Sequence, residues 1–302
     1  ATITYREPIA KYMQISFIYR PSWSLRTRDY ASYSTDYTHH INPEKKNPYT
    51  SNIANSTFMY HRAGAAYRYA RRRNWASVSL FYQYTELLNR NHASKSSETF
   101  GYHDFIYNAT LQWSFNEQNS MRISFNSDVK APGMNQLQDY YNVSNSQYLS
   151  RGNSKLRPFT EHSAFIRYTN SNMEKGRTFM WMFSGQITQD YIGQSITYNP
   201  DTIIIDGTEY NPLQYSTYEN MNGYSQLRTH VSYGFPVNFI KCNLNLMAGY
   251  SWTRTPSMIN GEQNITSNMG YDAMFSLGSN ISENIDFTIQ WNGAYNDATQ
   301  SL

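Results

Sequence analysis

Few of the side chains able to do chemistry in this sequence fall at spacings that chemistry requires. His39 and His40 follow Asp36 closely, and His162 sits beside Glu161. Such groups would suit a metal or an acid–base pair, yet neither has a second ligand pair at useful spacing, so both read as solvated loop or strand-end residues. A hydrolase needs a nucleophile held against a base. Serine and histidine are abundant, but nothing in their order pairs them. Cys242 is the only cysteine, which excludes an internal disulfide framework and any cysteine metal motif. No catalytic, metal or cofactor site is predicted, and no enzymatic activity.

A basic set is more informative. Arg20, Arg62, Arg68, Arg122, Arg167, Arg228 and Lys241 each fall in the polar phase of a run whose alternate residues are apolar, against only Asp272 and Asp286 on the acidic side. Such an excess predicts contact with an anionic solute or with acidic residues of another domain. A net charge of +3 is too mild to imply nucleic acid. Arg71-Arg72-Arg73 falls in a short turn and reads as solvated. Between the alternating runs lie stretches rich in Tyr and Asn, among them Tyr140, Tyr141, Asn142, Tyr191, Tyr198 and Tyr210. Polar aromatics of this kind stack on sugars or organic chelates, which makes them ligand candidates.

The elements that position these residues are strands. Aromatics make up 16% of the chain and charged residues only 16%, a mixture poor in helix formers. The clearest run is 105–115, where Phe105, Tyr107, Ala109, Leu111, Trp113 and Phe115 alternate with polar or smaller residues. A polar turn at 116–119 and a second alternating run through Met121, Ile123 and Phe125 complete a hairpin. Similar runs begin near 13, 55, 76, 160, 177, 227, 240, 269 and 285. With a stub at 1–6 they predict about twelve strands.

The connections alternate in length. Short turns are expected at 7–11, 70–74, 116–119, 170–176, around Pro236 and at 280–283, and long ones at 22–54, 87–100, 127–159, 191–221 and 253–266. A meander that crosses a membrane sorts its connections in this way, short turns on the periplasmic side and long loops outside. The apolar phases persist for about nine to eleven residues, the length a tilted strand needs to cross the hydrocarbon core. Charge is nearly absent from them, His61 excepted, and a charge facing lipid at mid-depth costs roughly 2–4 kcal/mol. Aromatics gather at their ends, as at Trp113 and Phe115, where interfacial girdles lie. No apolar stretch is long enough for a membrane helix. The fold class expected is therefore all-β, an antiparallel transmembrane β-barrel of meander type occupying 1–302 as one domain.

Three stretches carry a resemblance. Tyr5-Arg6-Glu7-Pro8-Ile9-Ala10-Lys11 precedes a strand, Ala131-Pro132 is followed by Gln136-Leu137-Gln138, and Gly152-Asn153-Ser154-Lys155-Leu156-Arg157-Pro158 precedes the next strand. Together they resemble the barrel region of TonB-dependent receptors, in which a P…QLQ loop is followed by GNP-x-LKPE. Here Ser154 stands for the first Pro of that motif and Phe159 for its Glu. The resemblance implies a 22-stranded barrel filled by an N-terminal plug, with import driven by TonB.

The sequence itself has no plug-like domain, no TonB-interacting box, no secretory signal at Ala1-Thr2-Ile3 and no terminal aromatic. The expectation is thus a partial outer-membrane barrel of a solute importer. Its partners would be the outer-membrane bilayer, a plug, TonB and a small solute or surface ligand, with Arg20, Arg62, Arg122, Arg167, Arg228 and Lys241 facing the lumen. An adhesin, a passive porin and a soluble secreted all-β protein are the rivals.

Overall fold

Alternation of apolar and polar residues becomes one long sheet in the computed structural model, which describes residues 1–30, 33–35, 41–46, 52–91, 96–205, 207–279 and 287–301. Its twelve long strands are β1 (Ile3–Ala10), β2 (Met13–Tyr30), β3 (Asn52–Arg71), β4 (Asn74–Asn91), β5 (Ser96–Ser114), β6 (Asn119–Lys130), β7 (Phe159–Asn172), β8 (Arg177–Gln189), β9 (Tyr224–Val237), β10 (Cys242–Ile259), β11 (Glu262–Ser279) and β12 (Thr288–Gln300). Each pairs antiparallel with the next, so the connectivity is a meander throughout.

Cross-strand partners share a face, and the register therefore traces two continuous surfaces. One carries Phe17, Tyr67, Val78, Leu80, Tyr82, Phe105, Trp113, Phe125, Val231, Leu246 and Trp291, and all are exposed. The other carries Arg62, Gln83, Thr85, Ser124 and Asn89, and all are buried. Leu80 is 57% exposed and Phe105 69%, whereas Gln83 and Thr85 are fully buried. A water-soluble sandwich buries the opposite phase. An apolar face this extensive needs an apolar medium, since soluble monomers rarely expose such patches.

The strands overrun the membrane. β3 has 20 residues and β2, β4, β10 and β11 have 18 each, against roughly 9–11 needed to cross the hydrocarbon. Two expected long connections are corrected as a result. At 87–100 the strands continue to Asn91 and resume at Ser96. At 253–266 the link is a two-residue turn, Asn260 and Gly261 at φ 51° and 82°, the backbone that Asn-Gly hairpins favour. Beyond the bilayer no lipid selects for alternate apolar residues, so pairing persists after the sequence signal fades. A third correction is at Pro236, which lies within β9, the turn falling instead on the 3-10 segment Asn238–Ile240.

Among the described residues β1 and β12 each have one strand neighbour, and no ladder joins them. The expected turn at 280–283, with Asp286, lies outside the described residues, as do Asp36, His39 and His40.

Candidate ligand-binding site in the loop cap

Segment 131–158 connects β6 to β7, but it folds back over the inner face instead of extending away from it. Its short helix Met134–Leu137 lies against β2. Arg26 of β2 donates to the Pro132 carbonyl at 3.4 Å, and Asn89 of β4 donates to the Ser154 carbonyl at 3.0 Å while accepting from Ser56 of β3. One connection thus touches three strands on the far side of the sheet.

The family-like motifs make this fold-back possible. The Gly152 amide donates to the Gln138 carbonyl at 2.9 Å, and a Cβ at Gly152 would lie 2.2 Å from that same oxygen. Asn153 donates through Nδ2 to the Tyr218 carbonyl and accepts from the Lys155 amide through Oδ1, which closes the turn. Leu156 is buried with Leu137 and Ile192. Arg157 pairs with Asp190 at 2.7 Å, and Asn220 bonds the Arg157 backbone in both directions.

These contacts weld two connections into one sheet. Tyr141–Asn142 pairs with Tyr148–Arg151, which runs parallel to Gln214–Met221. That segment pairs with Tyr191–Tyr198, and Ser195 and Ile196 extend the ladder onto Met258 and Ile259 of β10. The stretch 191–221, expected as a long connection, is strand-rich. Its short runs offer too few residues for periodicity to register.

Within the cap, Gln138, Tyr140, Asn142, Ser150, Arg151 and Tyr218 line a polar cavity of about 220 Å³. Arg151 is held by an ion pair to Asp139 and a 3.3 Å bond to the Tyr141 hydroxyl, and its guanidinium lies 4.8 Å over the Tyr141 ring. Burial opposes its charge, but Asp139 outweighs that and holds the guanidinium above its usual range. Tyr215 backs Tyr141 at 6.2 Å, and burial, followed by Tyr141, pushes its phenol up. Gln138 is 3% exposed and its Nε2 has no hydrogen-bond partner among the described residues. A buried donor left unmatched is costly.

Of the residues singled out in the sequence, Tyr140 and Asn142 line the cavity and Tyr141 supports it. Tyr198 lies at the far end of its hairpin strand, and Tyr210 belongs to the separate hairpin Ile203–Ile205 with Thr208–Tyr210. Neither lines the cavity. Arg20, Arg62, Arg122, Arg167 and Arg228 lie in the inner-face phase. Lys241 does not lie in a strand. It occupies the β9–β10 turn at φ 48°, because the expected strand start at 240 is taken up by the 3-10 segment.

Arg20 stands opposite Arg62 and over the Phe81 ring at 5.6 Å. Arg62 donates to Gln83 at 2.7 Å and to Asp128 at 2.8 Å. Arg122 is directly opposite Arg167. Arg68 and Arg122 both lie over Trp75, at 5.7 and 5.9 Å. Glu161 pairs with Lys130 and His162 bonds Tyr107, which separates the two residues once grouped together. The sequence reading missed Gln138, Arg151 and Tyr218 in the cavity and Gln83 and Asp128 on the inner wall. Gln138 stood only as a letter of the QLQ motif, and the others carry no local signal of a site, because each is brought to its place by pairing between distant segments.

A family model for the outer membrane protein beta-barrel family matches residues 1–302. Comparison with curated proteins gives no match. Among solved structures, a variant of the ferric enterobactin receptor PfeA from Pseudomonas aeruginosa is similar, at 10% identity and a TM-score of 0.42, with 98% of this chain and 52% of that chain covered. The siderophore receptor PirA from Pseudomonas aeruginosa gives 10% identity and 0.39, with 98% and 69% covered. PirA from Acinetobacter baumannii gives 11% and 0.35, with 99% and 55% covered. The chain thus spans about half the length of the PfeA structure.

Proposed function

Because the chain belongs to the outer membrane protein beta-barrel family, we propose that it forms part of the wall and the mouth of a gated solute importer, the TonB-dependent type that its loop motifs resemble. The protein resides in the outer membrane. Among the described residues β1 and β12 each have a single strand neighbour, and in lipid such edges must be paired.

The observation that carries the reading is the loop cap. Segments 131–158 and 191–221 form one sheet folded over the inner face, around a cavity that gathers Arg151 and the unmatched Gln138 donor. A passive pore gains nothing from closing its mouth with a built polar cavity. An importer that captures a scarce solute needs one. The donors suit a small, oxygen-rich, anionic solute. The inner basic face then meets either that solute or acidic residues of a plug.

The test is uptake in cells carrying the full-length protein. Arg151→Ala with Gln138→Leu should lower solute binding about tenfold or more, as lost charge-assisted bonds imply, with the protein's abundance in the outer membrane unchanged. Uptake that persists after the inner-membrane proton gradient is collapsed would overturn energised import.

A further inference from the structure

The outer, lipid-facing wall contains a trough. Register places Phe125, Ala164, Gly185, Leu227 and Trp252 in one row across β6 to β10. Two small residues therefore sit between bulky flanks, and the depression over them is a groove of about 390 Å³. The next row towards the cap reads His162, Ile187, Ser225 and Arg254. There the groove runs on, through Ile187 and Ser225, into a second recess beside Arg254, Gly223 and Asp190, whose carboxylate is taken by Arg157 at 2.7 Å.

Arg254 is the unusual member. It lies in the otherwise apolar phase, two residues beyond Trp252, and among the described residues its guanidinium has no hydrogen-bond or ion-pair partner. Facing lipid at mid-depth it would be costly, but at the headgroup level it is a cation waiting for an anion. His162, with its ring bonded to Tyr107 at 3.2 Å, is a second polar head on the same row.

We propose that this wall holds one acyl lipid with a phosphate headgroup from the outer leaflet, its chain in the trough over Ala164 and Gly185 and its phosphate on Arg254. Apolar floor and cationic rim match the two ends of such a lipid. The leaflet follows from the proposed orientation, with the cap outside the cell. The transport reading does not depend on the lipid.

Native mass spectrometry of the full-length protein in detergent, with lipid A or phosphatidylglycerol added, tests the assignment. Lipid A should be retained, and Arg254→Gln should lower the retained fraction about tenfold, the scale of a lost charge-assisted contact. Gly185→Leu should lower it as well by filling the trough. A Cβ at Gly185 meets nothing nearer than 3.5 Å, so the backbone there has room for a side chain, and outer-membrane abundance of the variant checks that it folds. Val78→Leu, elsewhere on the same face, should retain lipid as the parent does. Equal retention by all variants, or retention of neither lipid, overturns the proposal. Solute uptake in the same variants should be unchanged, which separates this outcome from that of the transport reading.

Discussion

Arg62 of β3 and Asp128 of β6 meet at 2.8 Å across the inner face, although two strands lie between them. The Arg62 side chain is 10% exposed and that of Asp128 54%. The pair is thus asymmetric. Arg62 also donates to Gln83, which is fully buried and has its amide nitrogen on Thr85.

Removing the two partners should therefore cost different amounts. Arg62→Ala strands the Gln83 oxygen in a buried position and should destabilise by about 2–3 kcal/mol. Asp128→Asn removes a half-solvated charge while Gln83 still holds Arg62, and should cost about 1 kcal/mol or less. Urea unfolding in detergent micelles measures both. Equal losses would mean that the ion pair, not the buried amide, anchors Arg62.

The sidedness of the sheet predicts a sharper contrast. Leu80→Arg puts a charge on the exposed apolar face and should cost roughly 2–4 kcal/mol near mid-depth. Ser232→Arg, on the inner face of β9, should cost no more than about 1 kcal/mol. Folding yields into lipid vesicles compare them directly, and similar yields would argue against a lipid-facing phase.

How far the sequence foretold this depends on what lipid selects. Eleven of the twelve long strands announced themselves through alternation, because each apolar phase answers to the same medium along the same depth; the first stood only as a stub at 1–6, and its strand runs on to Ala10 through the turn expected at 7–11. Phe105 to Phe115 is legible for that reason. The cap was not, since Tyr148–Arg151 pairs with Gln214–Ser216, and Ser195 and Ile196 pair with Met258 and Ile259, each more than 60 residues away, and these short runs leave no periodic trace. Gly152 stood out as a motif letter, but its reason, the nearness of the Gln138 carbonyl, exists only in the fold.

That nearness makes Gly152→Ala informative. With 2.2 Å between the new Cβ and the Gln138 oxygen, the backbone must separate and the cap must open, while the strands below are untouched. Trypsin applied to intact cells should then cleave at Arg151, and solute binding should fall with it. Unchanged protection would show that the cap does not depend on this approach.

The cap should also respond to alkali. Burial raises the phenols of Tyr215 and Tyr191, with Tyr141 and Tyr224 respectively adding to the effect. A raised folded-state pKa means that the neutral form is favoured in the cap. Its contribution is complete below the ordinary tyrosine range near 10 and is lost as pH climbs towards the folded values. Cap contacts should therefore loosen above about pH 10, followed by tyrosinate absorbance and near-ultraviolet circular dichroism. Tyr215→Phe with Tyr191→Phe should delay the loosening, and no delay would place the alkaline transition elsewhere.

Arg122 and Arg167 face each other in register, and like charges directly opposite are destabilising by a few tenths of a kcal/mol to about 1 kcal/mol. Taken alone, the sheet should gain stability on Arg167→Gln. Arg122 is already stacked over Trp75 with its Nε buried and unmatched among the described residues, so none of them relieves the repulsion. If an acidic surface of a plug stands against these two cations in the full-length protein, the sign reverses. There Arg167→Gln, and more strongly Arg167→Glu, should weaken plug docking, seen as faster protease release of the plug. A full-length protein stabilised by Arg167→Gln, with docking unchanged, would show that the inner basic face answers to the solute instead, and uptake of an anionic solute should then fall in the same variant.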